Sequence, residues 1–466
     1  MESLLQETLR DVEFVIFGAG PAGLSAADVL VQNGRKVVVI DRGKSFKTYY
    51  SATGKYDLIK DMEVGGIGGA TQKWGGQLVR LGAPEYSNWL EFEGFEKNYI
   101  EALEFETDQV LEKFALHIPR NRKLSPEVNW TVAIRQSFIP KEINLKKVFK
   151  TTLESPFFHY VEGVEVISLE NIREKVHMKL NDGSTYDLSE KQILLGMGSI
   201  ENTSILAKSL PNFSKVSHPQ LGKNLQDHPH GVLFEVQAPL LTWYKRYFYF
   251  GLSGRGTKTK FEVNSTVRNR LRGGVAEIHA LDSSVTFQEE LRAAIVARSA
   301  LLFFKLVLRV ISVFTVKFLG KRILLDSAQI WFQYEQCLNA DSHLVINSDG
   351  LEYNWTNSQS DLEFVNSASS ALQKYFCEHG FGVSKIRQFA NIQELNEWGN
   401  DACHPSGTIP IGSDQRNSVA DYLGRVHSIP KTNLLGASLF PTSGWFNPTL
   451  LIMAYSRLVV KRILRD

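Results

Sequence analysis

Gly18, Gly20 and Gly23 near the N-terminus form a G-x-G-x-x-G stretch with Pro21 and Ala22 between them, and Asp41 follows 18 residues after Gly23. Glycines at this spacing let the backbone turn sharply and approach a pyrophosphate closely. A helix opening at about Pro21 would aim its first N–H groups and the positive end of its dipole at the phosphates. Pro21 suits that first turn, where no intrahelical hydrogen bond is lost to it. A carboxylate at position 41 is placed to accept from a ribose 2′-OH, which favours a free hydroxyl over a 2′-phosphate. The loop alone leaves NAD and FAD equally open.

The flanking segments are those such a loop requires. Val12 to Phe17 has the β-branched and aromatic content of a buried parallel strand. Gly34 reads as a C-terminal cap, and Val37 to Ile40 as a second strand leading into Asp41. Between residues 65 and 76, glycine fills half of the positions, with Ile67 and Trp74 among them, so backbone must pass close to something flat or bulky such as a cofactor ring. Strand-rich sequence appears from Tyr160 to Val166 and from Val176 to Leu180, with an Asn181-Asp182-Gly183 hairpin turn. Gln192 to Leu195 is a buried strand running into Gly196 and a helix, similar to the strand by which two-piece flavin-binding domains return to their sheet. Glu201 stands where a third glycine would be needed, so no second cradle is expected.

The chain has 466 residues, long enough for two joined domains. Its 52 basic and 50 acidic residues give a net charge of +2, which provides no footprint for nucleic acid. Cys337, Cys377 and Cys403 make neither an even set nor a C-x-x-C pair, which fits a reducing compartment. The first residues are acidic where a secretory signal would be basic, so a cytoplasmic location is expected. From about 234 to 390 the sequence turns aromatic and strand-like, as at Ala328–Tyr334, His343–Asn347 and Leu351–Trp355, which reads as a substrate domain. Within it, residues 291–325 carry seven basic residues and no acidic ones among Leu, Phe, Val and Ile. Two readings stand for that stretch: a helix lying in a membrane surface, or one covering the substrate pocket with its basic residues in water. The aromatic cluster Trp243–Phe250 fits either.

The C-terminal part supplies the specific signals. His404-Pro405-Ser406-Gly407-Thr408 gives H-x-x-G-T, Asn447-Pro448-Thr449 opens a last helix, and Lys223 to Pro229 forms a further block. With the glycine-rich 65–76 stretch, these resemble the glucose-methanol-choline (GMC) oxidoreductases, flavoproteins that oxidise alcohols. Ile411 and Gly436 depart from residues common in that family, and Lys73 stands where some relatives carry a flavin-linking His, so noncovalent FAD is implied. The resemblance implies an α/β fold in which a two-part, Rossmann-like FAD-binding domain (1–233 and 391–466) is interleaved with an α+β substrate domain (234–390) on an antiparallel sheet. It implies His404 and Asn447 as the catalytic pair. FAD would then be held by Gly18, Gly20, Pro21, Ala22, Gly23, Asp41 and Arg42. The covering segment would contribute Gly69, Thr71, Trp74, Gly75 and Gly76, with Val164 and Gly196 beside them. Gly436, Ala437, Pro448 and Thr449 would complete the site, and no metal is expected.

Imidazole titrates in the range where it can take a hydroxyl proton while hydride leaves carbon, and an amide N–H from Asn447 can steady developing alkoxide charge. The expected activity is FAD-dependent oxidation of a small alcohol, a sugar or a hydrophobic or lipid-linked one, with oxygen or another electron acceptor. A non-redox lyase or decarboxylase on the same fold, or an FAD-stabilised binding subunit at a membrane, are the competing readings. His228 and His230 have no partner set apparent in the sequence.

Overall fold

The structure is a computed structural model, and it describes residues 2–43, 50–52, 64–81, 83–118, 131–216, 218–237, 257–267, 270–280, 327–347 and 350–465. The basic stretch 291–325 and the aromatic cluster 243–250 lie outside the described residues.

The chain is mixed α/β. A five-stranded sheet holds β1 (Phe14–Phe17), β2 (Val37–Asp41), β5 (Phe158–Glu162), β9 (Gln192–Leu195) and β17 (Thr432–Leu434), in the order β17-β9-β1-β2-β5. All its pairings are parallel. Its central strands are apolar on both faces because neither face meets water, and every residue of β1 and β2 is buried. The helix Pro21–Gln32 starts directly after the glycine loop, and Gly34 takes the left-handed conformation just past its end. β17 is contributed by the last part of the chain, so the parallel sheet is closed by residues more than 200 positions apart.

A six-stranded antiparallel sheet runs β16-β10-β13-β12-β11-β4, from β4 (Thr131–Phe138), β10 (His230–Gln237), β11 (Thr257–Val267), β12 (Arg270–Ala280), β13 (Ser327–Tyr334) and β16 (Gly382–Ser384). The helix Gln359–Glu378, opened by a Ser358/Asp361 capping box, packs on one face of this sheet through Phe364, Val365, Ala368, Leu372 and Phe376. The other face turns toward the glycine loop and carries polar residues, as described below. β3 (Tyr50–Ala52) joins β14 (His343–Asn347) and β15 (Gly350–Asn354), while β6 (Val166–Ile172), β7 (Lys175–Leu180) and β8 (Thr185–Asp187) form a small meander whose last turn is Asn181-Asp182-Gly183.

Three helices are locked together beneath the parallel sheet. Arg457 on the final helix, Thr449–Ile463, bonds Asp28 of the cradle helix at 2.8 Å and Glu106 of the helix Lys97–Lys113 at 3.1 Å, all three side chains being at most 3% exposed. Lys461, Lys113 and Thr152 supply further donors to the same two carboxylates. A charge group this deep persists only when its members are mutually paired.

Candidate active site

One cavity of about 1040 Å³ joins the glycine loop to the C-terminal motifs. That is at the upper end of the size range of small-molecule sites, which suits an extended dinucleotide plus a substrate. Its walls come from the glycine loop, the 64–77 segment, the antiparallel sheet and the segments around 402–405, 435–437 and 447–452.

The cradle is set by backbone contacts that admit no side chain. Gly18 has φ +97°, and a Cβ there would meet the Gly196 carbonyl at 2.7 Å, while a Cβ on Gly23 would run into the Gly18 carbonyl. Gly20 faces open space. The Asp41 carboxylate draws the pieces together: Oδ2 accepts from Ala19 N at 2.8 Å, and Oδ1 from Gly43 N at 2.8 Å and Gly66 N at 2.7 Å. The glycine-rich segment is thus pinned over the cradle. Oδ2, with a single donor, retains acceptor capacity toward the cavity for a ribose hydroxyl. The cradle helix and the final helix both begin on the cavity wall, at Pro21 and at Pro448–Thr449, so two positive dipole ends face an anionic ligand. These features fit FAD.

Of the residues expected at the site, Gly18, Gly20, Pro21, Ala22, Asp41, Arg42, Gly69, Thr71, Trp74, Gly75, Val164, Gly196, Gly436, Ala437, Pro448 and Thr449 line this cavity, as do His404 and Asn447. Gly23 and Gly76 do not. Gly23 lies behind the loop it allows to close, and Gly76 is packed on Ile143.

His404 has a neighbour that sequence reading passed over. His228 Nδ1 lies 3.3 Å from His404 Nδ1, and His228 Nε2 lies 3.2 Å from the Ser443 carbonyl. A carbonyl only accepts, so His228 Nε2 carries the proton and neutral His228 presents a bare Nδ1. His404 must then donate through Nδ1–H, which leaves its Nε2 as the basic atom. Gln333 Nε2, also 3.3 Å from His228 Nδ1, adds a second donor to that atom. Burial, with His228, Lys260 and His230 adding positive potential, holds the His404 pKa well below the usual imidazole value. Burial likewise lowers His228 to about 4. Both rings are therefore neutral at neutral pH.

Asp227 aligns the pair without touching either ring. Its carboxylate accepts the backbone N–H of His228, of Ala402 at 3.2 Å and of His404 at 2.9 Å, so one buried side chain fixes both segments. Burial and the nearby Asp401 push its pKa up to about 8 against these donors. Asp227, His228 and His404 place candidate ligand atoms within 4.8 Å of one another, a metal-like spacing, but the carboxylate is already engaged by backbone. Paired bonds between Gln226 and Ser406 continue the same junction.

The loop leading to Asn447 is sewn to the antiparallel sheet. Ser443 N donates to Gln226 Oε1, Gly444 N to Glu335 Oε1, Trp445 Nε1 to buried Glu262 Oε1, and Gln333 Nε2 to the Trp445 carbonyl. Asn447 is thus delivered to the cavity by a segment braced on both sides. His228, Asp227 and Gln333 could not be found from spacing, because the partners that give them their roles lie 105 to 215 residues away. The only sequence signal was the Lys223–Pro229 block that contains two of them.

Comparison with known proteins agrees with this architecture. Residues 342–456 match the family model described as GMC oxidoreductase, and residues 11–56 match that of an FAD binding domain. Among curated proteins, the chain is 36% identical over 73 residues to paromamine 6′-oxidase of Streptomyces fradiae, a match covering 16% of this chain and 14% of that protein. It is 61% identical over 51 residues to thiamine thiazole synthase of Methanococcus maripaludis, covering 10% and 20% respectively. The matched segments thus span at most a fifth of those two proteins' own lengths. Solved structures are similar over nearly the whole chain. Pyridoxine 4-oxidase from Mesorbium loti superposes with a TM-score of 0.61 at 13% identity, covering 98% of this chain and 100% of that one. An FAD-dependent oxidoreductase from Chaetomium thermophilum gives a TM-score of 0.60 at 14% identity, covering 98% and 99%. With the dinucleotide cradle at one end, the H-x-x-G-T and N-P-T segments at the other and both opening on one cavity, the chain is similar to the GMC oxidoreductases over residues 342–456 and to FAD-binding domains over residues 11–56, and it takes FAD as its cofactor.

Proposed function

We propose that the protein oxidises a CH–OH group of a small-molecule alcohol to a carbonyl, with His404 Nε2 as the base that takes the hydroxyl proton. The observation that carries this reading is the chain Ser443 carbonyl, His228, His404, which fixes the tautomer of a neutral imidazole on the wall of the cavity that begins at the cradle. Bound FAD would supply the two-electron acceptor for the hydride that leaves the carbon. Asn447, on the same wall, donates an amide N–H to the substrate oxygen as its negative charge grows. His228 holds the imidazolium formed on His404 through the same Nδ1–H bond. The names of two similar proteins, paromamine 6′-oxidase and pyridoxine 4-oxidase, support an oxidase reading, with oxygen or another molecule as final acceptor.

We assign 1–233 and 391–466 to FAD binding and 234–390 to the substrate side, except that β4, Thr131–Phe138, pairs with β11 and so belongs with the antiparallel sheet of the substrate side; we read the FAD as noncovalent because Lys73 offers no imidazole for linkage. Three free cysteines fit a cytoplasmic setting. Among the described residues no helix is long and apolar enough to cross a membrane. The reading is tested by adding a panel of alcohols and sugars to the oxidised holoenzyme without oxygen. Bleaching of the flavin band by at least one of them supports it, and no bleaching by any counts against it.

A further inference from the structure

In the parallel sheet, β1 lies between β2 and β9, and all three strands point the same way. The glycine cradle grows out of the end of β1, Arg42 follows β2 directly, and Glu201 stands in the first turn of the helix Ser199–Phe213, which follows β9. Arg42 Nη2 and Glu201 Oε1 are 3.3 Å apart, with the side chains 17% and 28% exposed, and both residues line the cavity. Strands two places apart in a sheet are separated by about 10 Å, so this ion pair reaches across the end of β1, where the cradle begins.

Both ends of the pair are anchored. Arg42 adjoins Asp41, whose carboxylate is fixed by the N–H groups of Ala19, Gly43 and Gly66. Glu201 adjoins Asn202, whose Nδ2 donates to the carbonyls of Leu195 and Leu435 and whose Oδ1 accepts from Met197 N. The helices starting at Pro21, Ser199 and Thr449 all begin on the cavity wall, and of these the one at Ser199 alone has an acidic first turn. The Glu201 charge is therefore offset twice, by the positive end of its own helix and by the guanidinium. A carboxylate so offset can stand beside an anionic cofactor without repelling it.

We propose that Glu201 is a cofactor-positioning residue: it holds the Arg42 guanidinium across the cradle, toward the diphosphate of FAD, and so slows the release of the cofactor. A guanidinium has several N–H donors in a fixed fork, so one edge can meet a carboxylate while another serves phosphate oxygens. The cradle otherwise offers backbone N–H groups and a helix dipole, which attract a diphosphate but do not close over it. This role concerns the FAD site and is independent of which bond the enzyme oxidises.

The test is the rate at which the holoenzyme releases FAD, collected in the filtrate at intervals after dilution, for the native protein, Glu201→Gln, Arg42→Met and the double variant. Each single change should speed release about tenfold, on the scale of one charge-assisted hydrogen bond. The double variant should release FAD no faster than Arg42→Met, because the carboxylate acts through the guanidinium. Arg42→Lys keeps the cation and should recover part of what Arg42→Met loses, which a merely space-filling side chain would not. If Glu201→Gln is not recovered folded, Glu201→Asp, whose carboxylate stops one methylene short of Arg42, carries the same expectation. Native release rates in the single variants, additive increases in the double variant, or equal rates for Arg42→Lys and Arg42→Met would overturn the assignment. Release is read without turnover, so a failure of alcohols to reduce the flavin would sink the oxidation reading and leave this outcome to be judged separately.

Discussion

His404 carries the account at the scale of single residues, and its loss should separate chemistry from cofactor binding. His404→Ala should lower kcat about 10²- to 10⁴-fold, the usual contribution of general base catalysis, while the FAD content measured by absorbance stays unchanged. His228→Leu removes the acceptor for His404 Nδ1–H and frees the ring to adopt the other tautomer, so kcat should fall about 10- to 100-fold. His228→Gln retains an acceptor oxygen and should recover part of that loss, which a merely space-filling role would not predict. The pH profile has a definite sign: protonation of His404 removes its lone pair, and its pKa lies well below the ordinary value because of burial and the repulsion of a second charge beside Lys260 and the rings of His228 and His230. Protonation of His404 should therefore cost no kcat/KM between pH 8 and 6.5 and should lower it only in more acidic solution. His404 was legible because it sits in a local motif. His228 was not, because what makes it functional is a contact across 176 residues that neither segment encodes alone.

At the scale of elements, strand, glycine loop, helix, second strand and Asp41 were readable in order, since each depends on neighbours within a few residues. The role of Asp41 was only half visible. A carboxylate at that position suggests a ribose, but its three backbone bonds show that it also ties Gly66 over the cradle. Gly23→Ala would drive a methyl group into the Gly18 carbonyl, so the variant should purify with little FAD even where it folds. The FAD-to-protein absorbance ratio reads this directly. The antiparallel register was only partly legible: two residues join β11 to β12, which sets their pairing, but 46 residues separate β12 from β13, so the alignment of Trp331 with Glu277 could not be read from the sequence. Alternation along β11, with Lys260, Glu262 and Asn264 on one face and Phe261 and Val263 on the other, would have read as a half-buried strand with a polar side facing water. The polar side instead faces the cavity and the loop before Asn447, through Lys260 and Glu262.

For the molecule as a whole, the two ends of the chain are joined at the parallel sheet, at the Arg457 charge group and at Asp227. Arg457→Met would leave Asp28 and Glu106 buried with reduced compensation, and should cost about 3–5 kcal/mol of stability, visible as a large drop in Tm of the holoenzyme. The candidate ligand atoms of Asp227, His228 and His404 also make a whole-site prediction: exhaustive chelation should leave activity unchanged, because these groups orient backbone and hold a proton. The central claim is that this cavity takes a proton and a hydride from an alcohol carbon. Its most direct test is anaerobic stopped-flow mixing of the oxidised holoenzyme with alcohols carrying protium or deuterium on the reacting carbon. The account predicts loss of the oxidised flavin absorbance, slowed by deuterium and slowed further in His404→Ala. Full retention of the oxidised spectrum across the panel, or reduction at the same rate in His404→Ala, would contradict it.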